Sequence, residues 1–282
     1  MQYCFINGEI KPLKSATLSV LDLGFLRGVG IFEYLRTYHH KYFHLEDHYI
    51  RFQKSAEKFH IPFNLSFENL QKILERLLEV NEMQEDYGIK MVLTGGVSDH
   101  PLTPSKEPSL LIFIEKLPCF NEIKKTGMKV ATYPFTRKFA EYKTTSYLEA
   151  ILAFQNAKDQ NAHEAIYVDQ EGYLLEGTRS NFFAIKNNTL FTPNHNVLPG
   201  ITRKVVLSIS QNVLNIEKRR IHITELMDMD EAFLTSTTFE IMPIRAIDQY
   251  DLSKTNFKTI HKLQNLFHHY SDPLMETSFA SM

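Results

Sequence analysis

The chain has 282 residues, enough for one large domain or two moderate ones with a substantial core. Its 31 basic and 33 acidic residues leave a formal charge of -2, which gives no reason to expect nucleic acid or an anionic membrane as a partner. No apolar run approaches the roughly 18 residues that read as a membrane span, and the first six residues carry neither a basic nor a long apolar segment, so the expected setting is cytoplasmic.

From the start of the chain to about residue 118, the pattern reads as short strands and turns around two helices. Asn7-Gly8 is a hairpin signal between two short strands. Ile31 to Tyr38 alternates loosely and is expected to be a strand. Leu45, His48, Phe52, Ala56 and Phe59 recur at spacings of three and four, which predicts an amphipathic helix ended by Pro62. A second helix is expected from Phe67 to Val80, capped by Ser66, with Leu70, Ile73, Leu74, Leu77 and Leu78 facing inward. Ile89 to Thr94 and Leu110 to Glu115 read as strands around a proline-containing loop from Ser98 to Pro108. Cys4 and Cys119 form no close motif and read as reduced packing residues.

Leu117 to Glu122 is the expected boundary. Beyond it, Met128 to Tyr133 reads as a strand, and a helix capped by Thr145 or Ser146 is expected over Tyr147 to Ala162. Glu164 to Asp169 and Tyr173 to Leu175 flank a turn, and Asn181 to Lys186 and Thr189 to Thr192 bracket Asn187-Asn188. Strands this closely spaced suggest a mixed or antiparallel sheet rather than a doubly wound one. A helix is expected after Gly200, a strand from Ala232, and a helix near Ile260 to His269 that frays beyond Pro273. The sequence contains no repeat, no dinucleotide fingerprint and no P-loop.

Three segments carry chemistry. Leu198-Pro199-Gly200 sets up a turn, and if Thr202 opens a helix, the amides of Ile201 and Thr202 point at one spot suited to an anion. An ordinary loop-to-helix junction fits the same residues. Lys143 sits between a strand-like block and a helix, with Tyr147 four positions on; most lysines are solvated charges, and this spacing permits a lysine-phenol contact without requiring one. Glu176 opens the stretch Glu176 to Phe183. Arg51 stands in a helix that otherwise presents an apolar stripe, and on its own it reads as a solvated helix residue as readily as a functional one. His39, His40, His44, His48 and His60 cluster, yet they give no secure spacing for a third ligand, and no metal is expected.

Seven segments, in order, resemble the fold-type IV pyridoxal phosphate enzymes, the group of branched-chain aminotransferases, D-amino-acid aminotransferases and 4-amino-4-deoxychorismate lyases. They are residues 24–33, 45–56, 143–149, 164–169, 176–183, 198–203 and 236–243. The resemblance implies an α+β fold with a small α/β domain at 1–118, a linker at 119–125, and a larger cofactor-binding domain at 126–282 with a mixed, barrel-like sheet. It implies pyridoxal 5'-phosphate as cofactor and a homodimer whose active site receives residues from the partner's small domain.

Carried over through those motifs, Lys143 is the catalytic lysine that joins the cofactor aldehyde, and Glu176 sits beside the ring nitrogen. Arg51, Ile201, Thr202 and Thr237 are implied phosphate contacts, Leu198 packs on the ring, and Tyr147 lies near the ring oxygen, one position closer to the lysine than in the branched-chain pattern. Arg27, Lys90, Thr237 and Thr238 are implied substrate contacts, with Lys90 standing where branched-chain enzymes use an arginine. The expected reaction moves an amino group between an amino acid, branched-chain among the options, and a 2-oxo acid. The alternatives are a lyase that releases pyruvate and 4-aminobenzoate from aminodeoxychorismate, and a catalytically inactive scaffold of the same fold.

Overall fold

The computed structural model describes residues 2–252 and 256–272, so the expected fraying beyond Pro273 lies outside the described residues. The chain divides into two compact units. One comprises Met1–Leu117 together with Tyr142–Tyr147, and the other Pro118–Glu141 with Leu148–Met282.

The first unit is built on six antiparallel strands. These are β1 (Tyr3–Ile6), β2 (Glu9–Pro12), β3 (Gly30–Tyr38), β4 (Lys41–Tyr42), β5 (Tyr87–Thr94) and β6 (Leu110–Lys116), in the order β2-β1-β6-β5-β3-β4. A short helix, α1 (Leu23–Arg27), precedes β3, and α2 (Leu45–Lys58) and α3 (Phe67–Asn81) follow the strand pair β3-β4. Period-2 burial on β3 and β5 turns Ile31, Leu35, Ile89, Met91 and Leu93 to a core that Phe52 of α2 and Leu70, Leu74 and Leu77 of α3 complete. Ile73 and Leu78, expected inside, pack at its margin. Ser66 caps α3 as expected, accepting from the Asn69 amide at 3.2 Å.

In the second unit, the segment read as a linker holds a helix, α4 (Asn121–Thr126). Strands β7 (Met128–Pro134), β8 (Glu164–Val168), β9 (Tyr173–Gly177), β10 (Ser180–Lys186), β11 (Thr189–Thr192), β12 (Asn215–Lys218), β13 (Ile221–His222), β14 (Glu231–Ser236), β15 (Glu240–Ile247) and β16 (Tyr250–Asp251) form one ten-stranded sheet. Six of them close on themselves: β7 pairs β8, β8 pairs β9, β9 pairs β10, β10 pairs β14, β14 pairs β15, and β15 returns to β7. The β7-β8 and β15-β7 pairings are parallel and the others antiparallel, a mixed barrel filled by Val130, Ile166, Phe182, Leu234 and Met242.

Helices α5 (Leu148–Asp159), α6 (Ile201–Ser210) and α7 (Lys258–Ser271) complete this unit. Helix α5 is shorter than the predicted Tyr147 to Ala162. Residues 143–145 are tied to β3 instead of capping it, and at the other end Asn161 turns left-handed (φ 54°) while the Ala162 amide bonds back to Ala157 at 2.8 Å.

Candidate active site

In the first unit, Ile31, Glu33, Leu35 and Thr37 are alternating buried positions of β3, so Glu33 faces the core. A lone carboxylate there would cost several kcal/mol, and α2 supplies the compensation. Arg51 forks onto it, Nε donating to Oε2 at 2.8 Å and Nη2 to Oε1 at 2.7 Å. One turn earlier, His48 places Nδ1 3.1 Å from Oε1, a charge contact off the line of a hydrogen bond. Burial alone would raise the Glu33 carboxyl, but the Arg51 guanidinium, with His48 behind it, overrides burial and holds it far below the usual carboxylate range. Burial also disfavours the imidazolium form of His48 and lowers its pKa, against the pull of Glu33.

The segment carrying the predicted lysine is stitched to the free edge at the start of β3. Phe32 N donates to Lys143 O at 2.9 Å, Thr145 N donates to Gly30 O at 2.9 Å, and Thr144 bridges to Ile31. Gly30 permits this approach, because a Cβ there would lie 2.7 Å from Thr145 Oγ1. The result gathers three predicted residues on one ring. Lys143 Nζ stands 4.5 Å from the Phe32 centroid, Tyr147 meets that ring edge-on at 5.5 Å, and Lys90 Nζ lies 6.0 Å away. Arg27 is apart from them, exposed at the end of α1.

In the second unit Glu176 is buried on β9. Arg137 Nε donates to its Oε1 at 2.9 Å and Nη2 approaches the same oxygen at 2.8 Å; Oε2 accepts from the Leu198 amide at 2.8 Å and from Asn181 Nδ2 at 3.3 Å. Asn181 also donates to Leu198 O at 2.8 Å, so a cross-strand neighbour of Glu176 holds the Leu198 turn. Gly200 is required beside it, since a Cβ would fall 2.0 Å from Asn181 Oδ1. Helix α6 begins at once with Ile201 and Thr202, both buried. No side chain caps it, and its first helical bond is Lys204 N to Gly200 O, at 2.9 Å. The first-turn amides therefore face outward, the arrangement that receives an anion. Thr237 and Thr238 form the turn between β14 and β15, where the Ser236 and Thr238 hydroxyls are 3.0 Å apart. A 730 Å³ cleft in the same unit, lined by Phe135, Thr136, Asp169, His195 and Arg220 among others, contains none of the predicted residues.

Sequence reasoning did not assign Arg137, His48 or Asn181. Asn181 lay inside a recognised motif, but Arg137 had no signal beyond standing six residues before Lys143. His48 entered as a member of its helix's inward stripe and as one of the clustered histidines. Among the described residues no group of three His, Cys, Asp or Glu side chains is placed to hold a metal, and no helix is long and apolar enough to cross a membrane.

The chemistry of these donors suits one cofactor. A charge-balanced buried carboxylate suits a protonated ring nitrogen, an uncapped helix start suits a phosphate, and a lysine amine suits an aldehyde. They fit pyridoxal 5'-phosphate, and the molecule has the architecture of a fold-type IV enzyme. Residues 30–247 match the family model described as amino-transferase class IV, and the chain belongs to that family of pyridoxal-phosphate-dependent enzymes. It is 31% identical over 278 residues to D-alanine aminotransferase of Staphylococcus epidermidis, covering 96% of this chain and 98% of that one. It is 26% identical over 271 residues to aminodeoxychorismate lyase of Bacillus subtilis, covering 93% and 92%. Among solved structures, the T.th. branched-chain amino acid aminotransferase with pyridoxamine 5'-phosphate superposes with a TM-score of 0.88 at 23% identity, over 98% of this chain and 96% of that one.

Proposed function

We propose that this enzyme moves an amino group between an α-amino acid and a 2-oxo acid, with Lys143 as its catalytic residue. The observation that carries the reading is the shared ring: Lys143 Nζ and Lys90 Nζ lie 4.5 and 6.0 Å from the centroid of the same Phe32 ring. One amine is thereby placed for proton transfer, with a second cation close by for a carboxylate. Bound pyridoxal phosphate supplies an aldehyde for the incoming amine and a ring that takes up electrons from the substrate α-carbon.

The chain's own residues do the rest. Lys143 would accept and hold, at Nζ, the proton lost by the substrate α-carbon. Glu176 would serve the ring nitrogen and help keep it protonated, with Arg137 and the Leu198 amide holding the carboxylate. Ile201 and Thr202 of α6, Arg51 and Thr237 would hold the phosphate, Leu198 would pack on the ring, and Tyr147 would serve its oxygen. Lys90, Arg27, Thr237 and Thr238 receive substrate carboxylates. Arg51 already serves Glu33 through Nε and Nη2, so a phosphate would share its guanidinium with that carboxylate.

A branched-chain or D-amino acid is the donor class that the relatives favour. The relationship to aminodeoxychorismate lyase supports a second reading, release of pyruvate with no oxo-acid acceptor. Replacing Lys143 by Ala is expected to abolish the borohydride-reducible cofactor adduct and to cut turnover by about 10²–10⁴-fold. Persistence of the adduct would move the role to another lysine. Assaying D-alanine, L-leucine and aminodeoxychorismate side by side, with and without an oxo acid, separates the two readings: pyruvate from aminodeoxychorismate alone would sink transamination.

The proposed assembly is a homodimer. Leu148, Ile151 and Leu152 are exposed along one face of α5, an apolar stripe that a second copy would cover. Light scattering should give twice the chain mass, and Ile151→Glu should halve it; a wild-type monomer would refute the assignment.

A further inference from the structure

Asp22 is a buried carboxylate, 1% exposed, that no part of the proposed chemistry uses. Three neutral donors hold it. The Gly24 amide donates to Oδ1 at 2.7 Å, while the Thr94 and Ser109 hydroxyls donate to Oδ2 at 2.8 and 2.7 Å. It makes no ion pair among the described residues. A polar side chain this deeply buried is costly to keep unless it is hydrogen-bonded, and these three bonds tie together the segments that supply them.

Its three donors come from three different segments. Gly24 belongs to α1, Thr94 is the last residue of β5, and Ser109 stands immediately before β6. Asp22 therefore sits at the neck of the loop over residues 95–108 and at the root of the turn that leads to Arg27. Above this neck the two loops are cross-bonded: Leu23 N donates to Gly96 O at 2.9 Å, Gly95 N to Val29 O at 2.8 Å, and Asp22 bridges to Val97. Gly24 packs so closely on Thr94 that a Cβ would lie 2.7 Å from the threonine side chain. Anchored this way, α1 and the 95–108 loop form one rigid piece, with Arg27 exposed at its tip.

We propose that Asp22 is a positioning residue, which fixes the place from which Arg27 meets a substrate carboxylate. This rests on the reading of Arg27 as a substrate contact. The side chain acts through geometry: it caps the start of α1 and ties that start to Thr94 and Ser109, and the short helix carries this placement to Arg27, its last residue, before Gly28 turns left-handed at φ 67°.

The test compares Asp22→Ala, Asp22→Asn, Arg27→Ala and the Asp22→Ala/Arg27→Ala pair in the full-length holoenzyme. Steady-state kinetics with pyruvate and 2-oxoglutarate is combined with hydrogen exchange over residues 23–30 and 95–109. Asp22→Ala should raise KM for the oxo acid about tenfold, the loss of one charge-assisted contact, with kcat within about twofold. It should speed exchange in both segments and add nothing in the Arg27→Ala background. Asp22→Asn should restore the wild-type KM, because its amide oxygen still accepts from Gly24 and the two hydroxyls can turn. If Asp22→Ala does not fold, Thr94→Ala should give the same pattern at smaller size. Raised KM in Arg27→Ala with unchanged KM in Asp22→Ala, or additive effects in the pair, overturns the positioning role alone. Unchanged KM in Arg27→Ala removes the Arg27 reading, and the inference falls with it.

Discussion

Glu33 in one unit and Glu164 in the other are equally hidden, each 1% exposed, yet their carboxyls are driven in opposite directions. Burial pushes both up. At Glu33, Arg51 forks both carboxylate oxygens at 2.7 and 2.8 Å and reverses that push. At Glu164 the push prevails: Oε1 accepts from the Thr178 hydroxyl at 2.6 Å and from the Ala165 amide at 2.9 Å, but Oε2 has no hydrogen bond, and the nearest guanidinium nitrogen, Arg179 Nε, is 3.5 Å away. The sign of a buried carboxylate's shift is thus set by whether a cation is aligned with it, more than by depth. Glu176 has an aligned guanidinium as well, with Arg137 Nε donating to Oε1 at 2.9 Å.

The largest expected consequence is at Glu33. Glu33→Gln leaves the Arg51 charge facing a neutral amide in the core, which should cost about 3–5 kcal/mol of unfolding free energy in urea at pH 7. A folded-state carboxyl held low contributes stability that is present above the usual glutamate value of 4.5 and lost as pH falls below it. The gap between wild type and variant should therefore narrow as the medium is acidified through that range. A gap below about 1 kcal/mol at pH 7 would place this pair among surface-like ion pairs.

Glu164→Gln should behave in the opposite sense. A carboxyl pushed up by burial destabilises the native state increasingly as pH rises above 4.5, because the unfolded chain releases the proton first. The amide keeps the acceptor for Thr178 and removes the ionisable oxygen. At pH 7 the variant should lie within about 1 kcal/mol of wild type or above it, and should gain on wild type between pH 4.5 and 7. A loss as large as that expected for Glu33→Gln would mean that Arg179 pairs with Glu164 in solution.

Much of this contrast could not be read along the chain. The apolar spacing that gave α2 and α3, the cap at Ser66 and the turn at Asn7-Gly8 are local signals, and the elements appeared where those signals stood. Glu33 looked like any charged residue in a loosely alternating strand; only the register of β3 turns it inward, and only the packing of α2 supplies Arg51. Arg137 reaches Glu176 across 39 positions, beyond any periodicity. The family motifs supplied Lys143 and Glu176 as names for roles. They did not reveal that Phe32 collects Lys143, Tyr147 and Lys90, which depends on residues 142–147 joining the edge of β3. The barrel's closure is likewise a product of pairing order, although short, closely spaced strands had pointed to a mixed sheet.

The smallest effect lies at Thr178. Its hydroxyl gives Glu164 its 2.6 Å bond, and the two-residue turn of Thr178 and Arg179 joins the cross-strand partners Glu176 and Asn181. Thr178→Val preserves shape and β-branching, so the change removes one donor and little else. The bond is worth more to the ionised carboxyl than to the neutral one, so the variant should lose about 1 kcal/mol at pH 7 and less in acid, as the proton returns to Glu164. Guanidinium titrations at pH 7 and pH 5 give the two values. An equal loss of about 1 kcal/mol at both would mean that Glu164 stays ionised at both, and the opposition between the two buried carboxylates would then rest on Glu33 alone.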